Sequence, residues 1–163
     1  MATTHATHLP ALGAHQREEV GNQLQATLIE LVDLSLVGKQ LHWNVIGPHF
    51  RSLHLQLDEL IDTWRVLGDT VAERAVAIGF QPDGQSAAVA AATEFPALEQ
   101  GAIEDHVVVR ELATRLAAVS ENVRTRMDRL GELDGASQDV LTEVLRALEE
   151  NLWMVRAQIP AGH

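Results

Sequence analysis

The sequence predicts an all-α protein built as one four-helix bundle, with a longer connection between its second and third helices. Apolar or small residues recur at steps of three and four residues along four long stretches, and no stretch alternates as a half-buried strand would. Alanine, leucine, valine, glutamate and arginine dominate the composition, and aromatic residues make up only 4% of it, which is typical of helical proteins. With 163 residues, the chain has the length of one domain that can bury a core of its own. Long helices in this arrangement are characteristic of a helical bundle.

The first half of the chain contains two of the four helices. The first is predicted from about residue 15 to residue 43, and the Gly-Pro pair at residues 47–48 then interrupts its periodicity. The second is predicted from residue 49 or 50 to residue 79, because the Gln-Pro-Asp-Gly sequence at residues 81–84 ends it. The end of the first helix is therefore expected close to the second helix.

The second half contains the other two helices. Residues 85–93 are rich in alanine and serine and form a connection with room for a short helix. The third helix is predicted from residues 93–96 to residue 130, because threonine is a common N-cap and proline is accepted in a first turn. The last helix is predicted from about residue 137 to residue 158. The expected domain organisation is a flexible N-terminal arm over residues 1–14, a four-helix bundle over 15–159 and a short C-terminal tail over 160–163.

Composition and charge exclude several classes of protein. The chain has no cysteine, so disulfides, thiolate metal sites and thiol nucleophiles are excluded. The net charge is −11, with 23 acidic residues against 12 lysines and arginines, which argues against a dedicated nucleic-acid binder. The chain opens with no basic-then-apolar leader, and no apolar run approaches the roughly 18 residues of a membrane span. We therefore expect a soluble, cytoplasmic protein.

Histidines and carboxylates form a stripe along the second helix. With about 100° per residue, His54, Asp58, Asp69 and Glu73 fall within a sector of about 100° beside the apolar face. His42 lies close by, at the end of the preceding helix. Imidazole and carboxylate ligands together suit iron, zinc or manganese more than calcium. The alternative interpretation, a solvated helix face with one His–Asp pair, stays open at this point.

The two ends of this stripe are too far apart for one chain to close a single site. His54 and Asp69 are separated by 15 residues, which is about 22 Å along a helix. Ligand atoms must lie about 2.0–2.3 Å from a shared metal ion. Two arrangements remain. Either the stripe holds two separate half-sites, or two antiparallel copies of the helix meet across a two-fold axis, so that His54 and Asp58 of one chain face Asp69 and Glu73 of the other. An intrasubunit di-iron centre is not expected, because the chain contains no Glu-x-x-His sequence.

Three segments of the sequence carry a resemblance to a known family. They are residues 39–45 (KQLHWNV), residues 54–59 with the pattern His-x3-Asp-Glu, and residues 69–74 (DTVAER). These segments and the spacing of 12 between His42 and His54 closely resemble the Dps family, the DNA-binding proteins from starved cells, which are miniferritins of the ferritin-like superfamily. The resemblance covers most of the chain, including the crossover and the LWMVR run in the last helix, and the sequence is most similar to the actinobacterial branch.

This resemblance implies a ferritin-like bundle that assembles as a hollow shell of 12 identical subunits. It implies ferroxidase centres at dimer interfaces, where His42, His54 and Asp58 of one subunit meet Asp69 and Glu73 of its partner. The implied activity is oxidation of Fe(II) to Fe(III), preferably by hydrogen peroxide, with storage of ferric mineral and protection of DNA from oxidative damage. Iron is then substrate and product, and no organic cofactor is implied.

Other residues are weaker candidates. Trp43 neighbours a predicted ligand and lies near the centre in similar proteins, although simple packing explains it equally well. Asp139 and Glu149 are candidates for an iron-entry pore, with a solvated helix face as the alternative. His5, His8 and His15 would supply a surface metal site if the arm is ordered.

Two alternative functions stay open at this point. The first is a nucleoid-compacting DNA-binding protein, but the first 16 residues and the tail contain no lysine or arginine, so we expect no DNA complex at neutral pH. The second is a non-catalytic oligomer that holds zinc structurally at the same ligands.

Overall fold

Four long helices, one short helix and two very short strands make up the computed structural model, which describes residues 12–159. Residues 1–11 and 160–163 lie outside the described part, so the flexible arm, the C-terminal tail and the roles of His5 and His8 stay predictions. The elements are α1 (Ala14–Asn44), β1 (Val45–Ile46), α2 (Phe50–Ala77), α3 (Ser86–Ala92), β2 (Ile103–Glu104), α4 (Asp105–Leu130) and α5 (Gly135–Arg156). The predicted all-α class is confirmed, including the short helix in the crossover.

The crossover runs the length of the bundle, from the start of α1 to its end. At one end, the ring of Phe80 fills the space beside Gly21, where a Cβ atom would lie only 2.0 Å from Phe80 Cδ2. At the other end, β1 pairs with β2 in parallel, with Val45 opposite Ile103. The sequence predicted no strand, because two-residue strands are too short to show an alternating pattern.

The predicted start of α4 is wrong by about ten residues. Thr93 caps the end of α3 instead of starting α4, and its Oγ1 donates a hydrogen bond of 2.8 Å to Asp33 Oδ2 on α1. The carbonyl oxygen of Pro96 accepts a 2.8 Å bond from Nη2 of Arg115, a buried residue of α4. These long-range bonds hold the segment in a non-helical path, and α4 begins only at Asp105.

Helix packing places the ends of α1 and α2 side by side. The two helices are antiparallel neighbours, and Gly38 of α1 lets them approach, because a Cβ atom there would lie 2.8 Å from Ile61 Cγ1 of α2. The indole of Trp64 is fully buried, and its Nε1 donates a 3.0 Å hydrogen bond to Oδ1 of Asn151 on α5. None of the helices in residues 12–159 combines the length and apolar character that crossing a membrane requires.

Candidate metal centre

Three of the five predicted ligands come together where α1 ends and α2 begins. His42 lies in the last turn of α1, while His54 and Asp58 lie in successive turns at the start of α2. The turn between the helices reverses the chain at Gly47, which has a φ of +121°, a conformation that favours glycine. Donor atoms of the two histidines and Asp58 all lie within 4.8 Å of one another. The short turn between antiparallel helices therefore turns a spacing of 12 residues into a cluster.

Each of the two imidazole rings is held by a hydrogen bond to the backbone carbonyl of the other histidine. Their centroids are 3.6 Å apart with an interplanar angle of 22°, so the rings stack. Nδ1 of His42 lies 3.0 Å from the carbonyl oxygen of His54, and Nδ1 of His54 lies 3.0 Å from the carbonyl oxygen of His42. A carbonyl oxygen only accepts hydrogen bonds, so each Nδ1 carries the proton and each neutral ring keeps the lone pair of Nε2. That nitrogen is the one left for a metal ion.

One of these hydrogen bonds also supplies a partner for a backbone carbonyl in the last turn of α1. The last four carbonyl groups of a helix lack partners within the helix, and the carbonyl of His42 is one of them. The Nδ1–H of His54 supplies the missing donor. His42 itself is buried, with 8% of its surface exposed, so its ring has little room to turn away. Helix capping and orientation of a candidate ligand thus use the same hydrogen bond.

Asp58 is held as a carboxylate by the positive charge of Lys39. The ammonium group of Lys39, on α1, donates a hydrogen bond to Oδ1 of Asp58, and the same oxygen lies 3.4 Å from Nδ1 of His42. The hydrogen bond from Lys39 is the main cause that lowers the pKa of Asp58; burial opposes it, and the charge of Lys39 and those of His42 and His54 in their protonated forms add to the lowering. The sequence contains Lys39 in the family motif, but its contact with a ligand was not predicted.

A single chain does not bring Asp69 and Glu73 to this cluster. Both side chains are exposed, and they lie further along α2, as the helix rise requires. Asp69 lines a cavity of about 420 Å³ between α1 and α2. Leu36 lines the same cavity and has 57% of its surface exposed. The cavity is therefore a concave, partly apolar surface with one predicted ligand in its lining.

The remaining predicted site residues lie elsewhere. Trp43 is 70% exposed, so it does not belong to the core of this chain. Asp139 is exposed near the start of α5, whereas the carboxylate of Glu149 forms an ion pair with Arg124. His15 is exposed and lies 4.0 Å from Glu19, measured from Nδ1 to Oε2. A role of these residues in a pore or at a metal site stays a prediction.

A second group of potential metal donors was missed by the sequence analysis. Glu104, Asp105 and His106 lie at the start of α4, and the side chain of Asp105 is buried. Its Oδ2 accepts a 2.8 Å hydrogen bond from the backbone N–H of His49, and its Oδ1 accepts a 2.7 Å bond from that of His106. The bond from His49 is the main cause that lowers the pKa of Asp105. An aspartate at a helix start is common in sequences, so nothing in the sequence signalled its burial.

Comparison with known proteins identifies the family of this chain. Residues 21–161 match the family model of the ferritin-like domain. The chain is 31% identical to the DNA protection during starvation protein of Mycolicibacterium smegmatis, with 94% of this chain and 84% of the relative covered. It is 32% identical to DNA protection during starvation protein 2 of Deinococcus radiodurans, where 93% of this chain covers only 63% of the relative. The solved structure of Mycobacterium smegmatis Dps superimposes with a TM-score of 0.90 at 30% identity, covering 94% of this chain and 93% of that one.

The fold and the match over residues 21–161 define a protein of the ferritin-like class. Within that class the chain belongs to the Dps family, because relatives of that family match it over most of both lengths in sequence and in structure.

Proposed function

We propose that this protein is a ferroxidase and iron-storage protein whose iron site is shared between two subunits. His42, His54 and Asp58 of one subunit would bind Fe(II) together with Asp69 and Glu73 of the partner subunit. The observation that carries this proposal is the reciprocal pair of histidine hydrogen bonds, which leaves Nε2 of both rings free. Two neutral imidazoles beside an ionised carboxylate are a donor set that suits iron.

The surface between α1 and α2 supports a shared site. Asp69 lines the cavity there together with several apolar side chains, so a second copy that covers this surface would bury apolar groups beside a proposed ligand. A two-fold axis at this surface would create two equivalent sites per dimer. The family membership favours six such dimers in one hollow shell, the homododecamer expected from the sequence.

The proposed reaction moves two electrons to one molecule of hydrogen peroxide. Two Fe(II) ions give up one electron each, the O–O bond breaks, and two waters complete the product: two ferric oxyhydroxide units and four protons. Because both electrons are taken at one site, no hydroxyl radical is released. The chain's own residues bind the iron through imidazole nitrogen and carboxylate oxygen, and the carboxylates favour the harder Fe(III) product.

The test is peroxide-driven iron loading of the whole protein. Fe(II) and hydrogen peroxide should give a ferric absorbance that elutes with the protein at shell size in gel filtration. Combined substitution of His42, His54 and Asp58 by alanine should abolish the fast oxidation. Asp62→Ala is the matched control, because Asp62 is an exposed carboxylate one turn further along the same helix. Unchanged oxidation in the triple variant would refute the site; binding of zinc without any peroxide turnover would favour the structural-zinc alternative.

Protection of DNA would then be chemical, through removal of Fe(II) and peroxide. Direct binding is disfavoured by the net charge of −11 and by the absence of lysine and arginine from the first 16 residues. A gel-shift assay with duplex DNA at physiological salt and neutral pH should show no complex. A shifted band that disappears with added salt would instead support the nucleoid-compacting function.

A further inference from the structure

The buried carboxylate of Asp105 connects the start of α4 with the turn that leads into α2. Both of its oxygens accept backbone hydrogen bonds, one from His49 in the turn and one from His106 in its own helix. His49 is the N-cap residue of α2, and its own carbonyl accepts a 3.1 Å hydrogen bond from the backbone N–H of Leu53. The carboxylate therefore holds the first turn of α2 from outside the helix.

A second metal centre at Glu104, Asp105 and His106 is the competing interpretation, and the hydrogen bonds argue against it. Glu104 and His106 are exposed, and the one buried member of the group already uses each oxygen for a backbone N–H. The position is also the N-terminus of a helix, which disfavours a cation. Satisfying two otherwise unpaired backbone donors explains the burial of Asp105 without a ligand.

The turn is built around this carboxylate. A Cβ atom on Gly47 would lie 2.7 Å from Cγ of Asp105, so only glycine lets the two groups approach. The backbone N–H of Phe50 donates to the carbonyl of Gly47 at 3.1 Å, which closes the turn. Directly before the turn, β1 pairs with β2, so the two residues that precede Asp105 are fixed beside the end of α1.

The position of α2 matters because His54 begins its second turn. The Nδ1–H of His54 donates to the backbone carbonyl of His42 at 3.0 Å, and the backbone carbonyl of His54 accepts the reciprocal bond from Nδ1–H of His42 at the same distance. Both bonds lie within the range of about 2.7–3.2 Å that N–H···O hydrogen bonds have in proteins, so they depend on the position of α2 beside the end of α1. A shift of the first turn of α2 would lengthen these bonds and move Nε2 of His54.

We propose that Asp105 is a positioning residue for the metal centre: by holding the N-terminus of α2, it keeps His54 in register with His42. This inference rests on the proposed function, because it presumes that the histidine pair binds a metal. The hydrogen bonds of the Asp105 carboxylate go to the backbone of His49 and His106, not to His42, His54 or Asp58.

The experiment measures Co²⁺ binding to the assembled protein by its visible absorption, because Co²⁺ reports its ligands without undergoing the reaction. Asp105→Ala removes both acceptors, whereas Asp105→Asn keeps one oxygen that can still accept from His49. The matched control is Glu30→Ala, which removes a half-buried carboxylate of α1 that accepts hydrogen bonds from Asn122 and Arg126 of α4. Glu30 lies 12 residues, or about 18 Å, before His42 along α1, and it neighbours none of the five proposed ligands in sequence.

Asp105→Ala should change the Co²⁺ spectrum and weaken Co²⁺ binding about tenfold. A tenfold loss is the lower end of what residues that support metal ligands contribute to affinity. Asp105→Asn should give a smaller loss. The control should lower thermal stability yet keep the wild-type spectrum and affinity, which separates positioning from general destabilisation.

Wild-type Co²⁺ affinity and spectrum in Asp105→Ala would overturn the inference; if that variant does not fold, the same result in Asp105→Asn decides. An equal loss of affinity in Glu30→Ala would also overturn it, since the effect would then be one of stability alone. A failure of the proposed function would be recognised from a different variant. If His54→Ala binds Co²⁺ as the wild type does, the histidine pair is not the metal site.

Discussion

His42 and His54 each donate a hydrogen bond from Nδ1 to the other's backbone carbonyl, at 3.0 Å in both directions. The bonds join the last turn of one helix to an early turn of the next and set the tautomer of both rings. Neither the spacing of the histidines nor their helical phase contains this information. The pair is the basis for the predictions on the metal centre.

A mixing experiment tests whether the site is shared between subunits. His54→Ala and Asp69→Ala are each expected to lose peroxide-driven ferroxidation. In a dimer of one variant with the other, one site carries both substitutions and the second site is intact. Equal, random co-assembly should therefore restore about a quarter of the wild-type activity per dimer.

The control for this experiment pairs two substitutions from the same half-site. A mixture of His54→Ala with Asp58→Ala restores nothing, because every site then contains one of the two changes. If both single variants are inactive and neither mixture recovers activity, His54 and Asp69 do not belong to one site that is shared between two subunits.

Lys39 should compete with metal ions for Asp58. Lys39→Met removes the ammonium group that occupies Oδ1 of Asp58 and keeps the length of the side chain. The pKa of Asp58 should rise towards its ordinary value, because the hydrogen bond from Lys39 is the main cause that lowers it. At neutral pH the carboxylate of Asp58 stays ionised, and without the ammonium group it is open to a metal ion. Co²⁺ binding should therefore strengthen by about threefold, a modest effect because the ion pair that is lost is partly exposed.

Titration with Co²⁺ measures this change, and Lys39→Arg serves as the control that keeps the charge. If the methionine variant bound Co²⁺ more weakly than wild type, Lys39 would be orienting the carboxylate rather than competing for it.

The stability that Asp134 contributes should depend on pH in a defined direction. Burial acts to raise the pKa of Asp134, but hydrogen bonds from Ser137 and Arg74 and the charge of Arg74 outweigh it, so the pKa lies below its ordinary value of 3.8. A depressed pKa means that the contribution is complete above the unfolded-state value and is lost as the pH falls through the folded-state value. Asp134→Asn should lower the unfolding temperature by a constant amount at neutral pH, and the difference should shrink below about pH 4.

Thermal unfolding of both proteins between pH 3 and pH 7 measures this difference. A gap between the variants that widens towards low pH would contradict the assigned direction of the pKa shift. Asp139→Asn, at an exposed position of the same helix, is the control expected to change little at any pH.

Removing only one partner of the buried hydrogen bond between Trp64 and Asn151 should lower the free energy of unfolding. Asn151→Leu leaves the indole N–H without its acceptor in a buried environment, at a cost of about 1–3 kcal/mol. Trp64→Phe in addition removes the unsatisfied donor, so the double variant should be more stable than the sum of the two single losses predicts. Additive losses in this double-mutant cycle, measured by unfolding, would mean that the bond contributes nothing.

Much of the fold followed from local patterns. The apolar periodicity predicted α1, α2 and α5 to within about two residues of their observed ends, because one amphipathic face determines each helix. It failed at the start of α4: Thr93 and Pro96 have the residue types of a helix start, but bonds to Asp33 and Arg115 hold them in the crossover. Such bonds join residues far apart in sequence, so no local pattern announces them.

The sequence by itself determined the helical class, because residue type and helical spacing are sufficient for it, and it carried the family resemblance that implied His42, His54 and Asp58 as neighbours. Only the tertiary structure decided which nitrogen of each histidine is free, that Lys39 neutralises Asp58, and that Asp105 is buried against the turn before α2. These features depend on hydrogen bonds whose direction and distance exist only once separate helices pack together.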